Sequence, residues 1–328
     1  MKNPIKITFA VLPKVHLIDL AGPVQVFYEA NQFGADFHIS YCSIQESIAS
    51  QQDITFSGIQ HFKEETLSEK DYLFVAGTDF MSISQGQLRS GYDDFFNWLQ
   101  CQYRKGVNIC SVCSGTYVLA ASKLLKNKSC TTHWKCVEHL KRTNSDIKLV
   151  NDQLFVKDGN LYTSAGMTSG IDMALFIVEE HYGPIITSKV AREMVVFIRR
   201  SGSNRQESIY LDFRNHIHPA VHQVQDYLLQ NPSAKTSIEE LANMFNISER
   251  NLTRLFKKLT GISINEYRTK CRLAYAESLM NNPELTIEYI ASECGFKDPK
   301  QLRRLWKSLY KISPSAHRNI KVLKNLDK

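Results

Sequence analysis

Ser237-Ile238-Glu239-Glu240-Leu241-Ala242 and Thr286-Ile287-Glu288-Tyr289-Ile290-Ala291 are one phrase written twice, at an offset of 49. Leu252-Thr253-Arg254-Leu255-Phe256-Lys257 returns as Leu302-Arg303-Arg304-Leu305-Trp306-Lys307, at an offset of 50, so the second copy carries one extra residue in its turn. Leu259, Ile262 and Ser263 recur as Leu309, Ile312 and Ser313. Each copy opens on a hydroxyl residue suited to cap a helix, passes a tight turn and continues as a longer basic helix. That is a helix-turn-helix pattern, present twice.

Within the first copy, Ser237 and Glu240 spell a capping box. Leu241, Ala242 and Phe245 fall on the inner face, and Asn246 stands where a left-handed turn residue is expected. Ser248 caps a second helix, 249–258, whose Leu252, Leu255, Phe256 and Leu259 repeat at helical spacing and face a core. Arg250, Asn251, Thr253, Arg254 and Lys257 are left outside, and Gly261 ends the helix. Ser263 opens a third helix, 264–280, about 25 Å long at 1.5 Å per residue, a rigid spacer between the copies. In the second copy Asp298 is the N-cap and Pro299 sits at the first helical position. Leu302, Leu305, Trp306 and Leu309 pack, while Lys300, Arg303, Arg304 and Lys307 face out. Such side chains read base edges and hold phosphates, and Arg254 and Arg304 suit either task. Two such helices roughly 34 Å apart would enter adjacent major-groove segments.

Charge points the same way. Residues 1–215 hold 22 basic and 22 acidic side chains, whereas residues 216–328 hold 18 and 11 and so carry the whole net charge of +7. An excess confined to the repeated part is the electrostatic footprint of phosphate binding. The length of 328 residues suits two domains with separate cores. No run of about 18 apolar residues occurs, so no membrane span is expected. The apolar stretch near the start is broken by Pro13, Lys14, His16 and Asp19, which is no signal peptide. The eight cysteines lack a disulfide-scaffold spacing and fit a reducing compartment; a cytoplasmic protein is expected.

The first half alternates short apolar runs (5–12, 37–44, 72–76, 107–110) with helical patterns (24–33, 92–105, 171–181). This predicts an α/β domain, a parallel sheet flanked by helices in flavodoxin-like fashion, ahead of an all-α C-terminal domain. Asp158-Gly159 reads as the turn of an added hairpin. The chemistry-bearing stretch is Val107-Asn108-Ile109-Cys110-Ser111-Val112-Cys113-Ser114-Gly115-Thr116-Tyr117. A buried strand runs into a small-residue turn and then a helix, the form of a nucleophile elbow. A place beside a helix N-terminus would lower the Cys113 pKa and offer backbone N–H groups to an anion. Cys110-x-x-Cys113 matches a redox spelling, but its first cysteine falls in a strand. Cys130, His133, Cys136 and His139 are spaced by threes without a second zinc-type pair, so no metal is expected. Phe80, Tyr117 and Trp134 either wall a pocket or fill core.

Residues 217–318 resemble the DNA-binding domain of the AraC/XylS family, including Tyr267-Arg268-Thr269-Lys270-Cys271-Arg272-Leu273-Ala274-Tyr275-Ala276 and the closing Ile312-Ser313-Pro314-Ser315-Ala316-His317-Arg318. The resemblance implies base readers at Arg250, Thr253 and Arg254, then Lys300, Arg303 and Arg304, with Lys257 and Lys307 alongside. One departure is Lys311, where relatives usually place glycine. Residues 4–183 resemble the DJ-1/PfpI branch of the class I glutamine amidotransferase-like superfamily. That resemblance rests on Leu17-Ile18-Asp19-Leu20-Ala21-Gly22-Pro23, Val75-Ala76-Gly77-Thr78, the Cys113 elbow, Thr131-Thr132-His133-Trp134 and the stretch from Thr163-Ser164-Ala165-Gly166 to Asp172. The fusion is similar to GlxA-type regulators, which implies an N-terminal domain that senses a small, often nitrogenous, metabolite. Ligand-binding candidates are then Asp19, Gly77, Thr78, Cys113, Ser114, His133, Trp134 and Gly166.

Hydrolytic relatives carry histidine directly after the nucleophile, whereas this chain has Ser114. His133, with Asp19 near, is the remaining candidate base. Sensing without turnover is therefore expected, with no catalytic residue and no cofactor, and a Cys-dependent amidase or hydrolase is the alternative. The expected division is a sensing domain over 1–198, a polar linker over 199–215 and a DNA-binding domain over 216–320. Double-stranded promoter DNA, a small-molecule effector, a second copy of the chain and RNA polymerase are the expected partners, and a membrane is not.

Overall fold

The computed structural model describes residues 4–79, 92–196, 199–202, 206, 213–280, 282, 284–310 and 312–318. Two compact units divide the chain, 1–206 and 207–328. In the first, β1 (Ile5–Ala10), β2 (Phe37–Ser43), β3 (Gln60–His61), β4 (Tyr72–Val75), β5 (Asn108–Val112), β6 (Phe155–Asp158) and β7 (Leu161–Ser164) form one sheet in the order β6-β7-β5-β4-β1-β2-β3. Every pairing is parallel except β6 with β7. The unit also holds helices α1 (Leu17–Gln32), α2 (Asp93–Arg104), α3 (Gly115–Ala121), α4 (Val137–Thr143) and α5 (Thr168–Glu193), with two small two-stranded sheets beside them.

Because helices cover both faces, β4 is buried at all four positions, as expected of a parallel strand. Phe9, Phe74 and Val112 pack with Val26, Phe27, Met173 and Ile177 of α1 and α5. Leu73, Val75 and Ile109 pack on the opposite side with Phe95, Leu99, Val118 and Leu119 of α2 and α3. The sheet winds outward in opposite directions from β1 and β4, which makes their carboxyl ends a topological switch point.

Three boundaries depart from the sequence reading. The 154–163 hairpin is no appendage, since β7 pairs in parallel with β5 from Leu161↔Ile109 to Ser164↔Val112 and its four residues are buried. Helix α1 starts at Leu17 rather than 24 and contains Pro23; burial of Pro23, Val26 and Phe27 outweighs one missing N–H. Helix α5 runs on to Glu193 through a break at Gly183, φ 76°.

The segment expected as linker is fastened where it is described. Arg199 to Gln206 bonds to the first unit at several points detailed below, while Phe213 packs on Tyr267 and Arg214 pairs with Asp226 in the second. Its residues 203–205 and 207–212 lie outside the described residues, as do Phe80 and Lys311.

The second unit holds α6 (Pro219–Gln230), α7 (Ile238–Met244), α8 (Glu249–Thr260), α9 (Ile264–Leu279), α10 (Ile287–Glu293) and α11 (Pro299–Tyr310). Val224, Leu241, Leu252, Phe256 and Tyr267 form one core; Ala276, Ile290, Leu302 and Trp306 form another. Helix α9 serves both, giving Ile264, Tyr267 and Cys271 to the first and Leu273, Ala276 and Met280 to the second.

Candidate functional site

The caps that set the two helix-turn-helix copies are present. Ser237 Oγ accepts from Glu240 N at 3.0 Å while Glu240 Oε2 accepts from Ser237 N at 2.6 Å. Ser248 caps α8, and Asp298 Oδ1 accepts from Gln301 N at 2.6 Å at the start of α11. The turns between helices use Asn246 at φ 52° and Gly295 at φ 72°, which correspond under the 49-residue repeat. With Leu252 and Phe256 buried on α8, and Leu302 and Trp306 on α11, the opposite faces are left to solvent. Arg250, Thr253, Arg254, Lys257, Lys300, Arg303, Arg304 and Lys307 are all exposed. Arg254 Nη2 donates to Asn251 Oδ1 at 2.9 Å, and Arg303 pairs with Glu288 at 2.8 Å. Arg304 has no such partner among the described residues.

The repeat did not reveal Arg268 and Arg272 of α9 as functional. Arg268 donates to Thr236 O at 2.7 Å; Arg272 donates to Pro232 O at 2.8 Å and Ala234 O at 3.0 Å. These guanidiniums hold the loop that leads into the first copy, and Gly295 of the second copy lies against Ser233 of that loop. The two copies are thus keyed to each other through one short segment.

In the first unit, Cys113 directly follows β5 with φ 57°, the strained elbow the sequence suggests. It lies at the carboxyl end of the sheet, beside the residues that follow β1 and β4. Cβ atoms built on two glycines show how tightly the elbow is packed. One at Gly77 would lie 2.3 Å from Asp19 Oδ2 and 3.0 Å from Cys113 Cβ; one at Gly166 would lie 2.3 Å from Cys113 Cβ. Only glycine lets Asp19, Cys113 and these two chains converge. Ser114 Oγ donates to Thr78 O at 2.6 Å and accepts from Thr78 N at 3.0 Å, while Thr78 Oγ1 donates to Pro13 O at 2.6 Å. Asp19, Gly77, Thr78, Cys113, Ser114 and Gly166 therefore form one cluster.

Asp19 is buried in the first turn of α1. Its Oδ1 accepts from Met167 N at 2.6 Å, while its Oδ2 receives no N–H or O–H and has the Cys113 thiol beside it. Burial holds the carboxyl above the usual range, against the lowering by the Met167 N–H and the nearby His16. The thiol moves opposite to the expectation from the helix N-terminus. Burial first, then the Asp19 carboxylate, push the Cys113 pKa up, and the Ser114 N–H offsets only part of this. An N-terminus of a short helix is a fractional charge, whereas full burial and an adjacent carboxylate each oppose the thiolate directly.

His133 is not bonded to Cys113 among the described residues. Its Nδ1 accepts from Lys135 N at 3.3 Å, and burial lowers its pKa. The neighbour that does touch the elbow is Thr132, whose hydroxyl donates to Cys113 O at 3.0 Å. Trp134 is 56% exposed under Lys135, and Tyr117 is buried with its hydroxyl on Cys136 O. Sequence reading missed His16 and Thr132; the motif Thr131-Thr132-His133-Trp134 held the latter, but only the fold turns the threonine inward.

Comparison with known proteins agrees with both halves. Residues 5–180 match the DJ-1/PfpI family and residues 241–320 match a helix-turn-helix domain family. The HTH-type transcriptional regulator GbdR of Pseudomonas aeruginosa is 26% identical over 97% of this chain and 85% of its own. GlxA of Rhizobium meliloti, likewise named an HTH-type transcriptional regulator, is 27% identical over 66% of each chain. Isonitrile hydratase of Pseudomonas putida is 31% identical over 55% of this chain and 73% of its own. A solved THiJ/PfpI family protein from Pseudomonas syringae shares the fold, with a TM-score of 0.51, 18% identity and coverage of 81% of this chain and 91% of its own. No helix among the described residues is long and apolar enough to cross a membrane. The chain belongs to the DJ-1/PfpI family, joined here to a helix-turn-helix domain of the AraC type.

Proposed function

We propose that this DNA-binding transcriptional regulator reads a small polar metabolite at the Cys113 elbow and answers by changing how its helix-turn-helix unit engages a promoter, without turning the metabolite over. The observation that carries the reading is the buried Asp19 Oδ2, which no N–H or O–H reaches and which has only the Cys113 thiol beside it, at a topological switch point of the sheet. A thiol is a weak donor, so a buried carboxylate oxygen left to it is poorly satisfied, and a ligand N–H or O–H placed there recovers that cost. A thiol held protonated by burial beside a carboxylate suits binding better than attack. On the DNA side, Arg250, Thr253, Arg254, Lys300, Arg303 and Arg304 contact bases, and Lys257 and Lys307 contact phosphates. The protein acts in the cytoplasm as a homodimer, and RNA polymerase is its downstream partner.

The test is a thermal-shift screen of the full chain against amino acids, amines and betaines, with Asp19→Asn alongside. A compound that raises the melting temperature of the parent protein and not of the variant supports the reading. Shifts that are equal in both proteins remove Asp19 from the site.

Catalysis is the second reading, favoured by the likeness to an isonitrile hydratase and by the carboxyl–thiol pair. Product formation from isonitriles or amides, abolished by Cys113→Ser, would establish it; equal background in both proteins would end it.

A further inference from the structure

The segment that leaves the first unit is tied to the elbow from two sides. Arg199 Nη2 donates to Glu179 at 2.7 Å, and the Gly202 carbonyl accepts from Leu154 N at 3.0 Å and Phe155 N at 3.3 Å. Between these anchors Arg200 Nη2 donates to Asp172 Oδ2 at 2.6 Å and Thr168 Oγ1 at 2.8 Å, both at the start of α5. The residue before that helix is Met167, at φ 48° and ψ −117°, whose N–H is held by Asp19. On the other side Gln206 Nε2 donates to Thr132 O at 3.0 Å and Gln153 O at 3.1 Å. Two carbonyl acceptors fix which end of the amide points inward. Thr132 in turn donates its hydroxyl to Cys113 O.

Both non-glycine residues of positive φ at the elbow cluster, Cys113 and Met167, are thus one residue from a strap contact. We infer that residues 199–202 and Gln206, by their contacts, form a strap whose seating is coupled to the elbow, so that occupancy of the Asp19–Cys113 site is passed to the DNA-binding unit by docking or releasing these contacts. The inference rests on the sensing role proposed above for that site. Six residues separate Gln206 from Phe213, the next described residue packed in the second unit. Releasing the strap back to Arg199 lengthens this tether to 13 residues. At about 3.5 Å per residue the maximum span doubles, from roughly 21 Å to roughly 46 Å. A short tether restricts where two DNA-binding units of a dimer can sit, and a long one frees them.

Coupling is reciprocal, so it is testable in the full chain with no ligand. N-ethylmaleimide labelling, read peptide by peptide, reports access to Cys113, with exposed Cys101 as internal standard. Trypsin cleavage after Arg199 and Arg200 reports the seating of the strap. Gln206→Ala is expected to speed Cys113 labelling at least fivefold with Cys101 unchanged, and Arg200→Lys, which keeps the charge on buried Asp172, is expected to act the same way. In the other direction Asp19→Asn is expected to speed cleavage after Arg199 and Arg200 at least fivefold. If Gln206→Ala and Arg200→Lys expose the strap to trypsin while Cys113 labels within twofold of the parent rate, the coupling is overturned. A metabolite that raises the melting temperature but leaves trypsin cleavage unchanged overturns the strap and keeps the sensor. Coupling in these variants with no metabolite found keeps the strap and overturns the sensor.

Discussion

Asp19 is the buried carboxyl of the elbow cluster. Its pKa is raised, so burial outweighs the Met167 N–H and the charge of His16. A carboxyl whose folded pKa exceeds its unfolded value contributes stability that is complete below the unfolded value and is lost as pH rises through the folded one. Once ionised, the group is therefore a net burden. Asp19→Asn, which keeps an acceptor for Met167 N–H, is expected to melt a few degrees higher than the parent at pH 7. The gap should close as pH falls toward 4; an equal or lower melting temperature at pH 7 would show that the Met167 and His16 interactions dominate instead. The same substitution removes the carboxylate that lifts the Cys113 pKa. Alkylation of Cys113 at pH 8 should then accelerate relative to Cys101, and an unchanged ratio would leave burial alone responsible. None of this was readable from the chain: Asp19, Gly77 and Cys113 could be named as motif residues, but the upward shift of the thiol follows from burial, which the sequence around the elbow does not state. His133 was misplaced as a partner for the same reason. A histidine at the right sequence distance can aim its ring elsewhere, here toward Lys135 N.

Elements were more legible than sites because periodicity and caps are local. Ser237, Ser248, Ser263, Thr286 and Asp298 each cap the helix that sequence assigned to them. Failures came where a long-range partner decided the outcome. Helix α1 keeps Pro23 because its neighbours are buried, and β7 belongs to the sheet because β5 lies beside it. The keying of the two helix-turn-helix copies through residues 232–236 was likewise invisible. It leads to a contrast between two glycines with nearly equal backbone angles. Gly261, φ 78°, caps α8 with nothing within 4 Å of an added Cβ, whereas Gly295, φ 72°, would place that carbon 2.7 Å from Ser233 O. Gly261→Ala should cost about 1–2 kcal/mol from the left-handed conformation alone. Gly295→Ala should cost clearly more, because backbone must also move, and Arg272→Ala should weaken the same junction by freeing two carbonyls. Urea melts of the three variants rank them; a Gly295→Ala no worse than Gly261→Ala would mean that the copies are not keyed at this loop.

For the molecule as a whole, the question is whether one chain reads two stretches of DNA. The excess charge of +7 resides in residues 216–328, and both recognition helices turn the same kinds of side chain outward. They are not equivalent. Position 253 is a threonine where 303 is an arginine, and Arg303 is paired with Glu288 while Arg304 has no partner among the described residues. Arg304 is thus freer to meet a base, and Arg303 must first give up its carboxylate. Site selection with the full chain should return two blocks of preferred bases with centres about 10–10.5 base pairs apart. Arg254→Ala should erase preference in one block, and Arg304→Ala in the other, each by about 1–3 kcal/mol for the base concerned. Lys257→Ala should instead weaken binding on all sequences and reduce the slope of log K against log salt by about 1, the signature of one lost phosphate contact. Were Arg254→Ala and Arg304→Ala both to act like Lys257→Ala, the two helices would hold DNA without reading it, and specificity would have to come from the shape of the duplex.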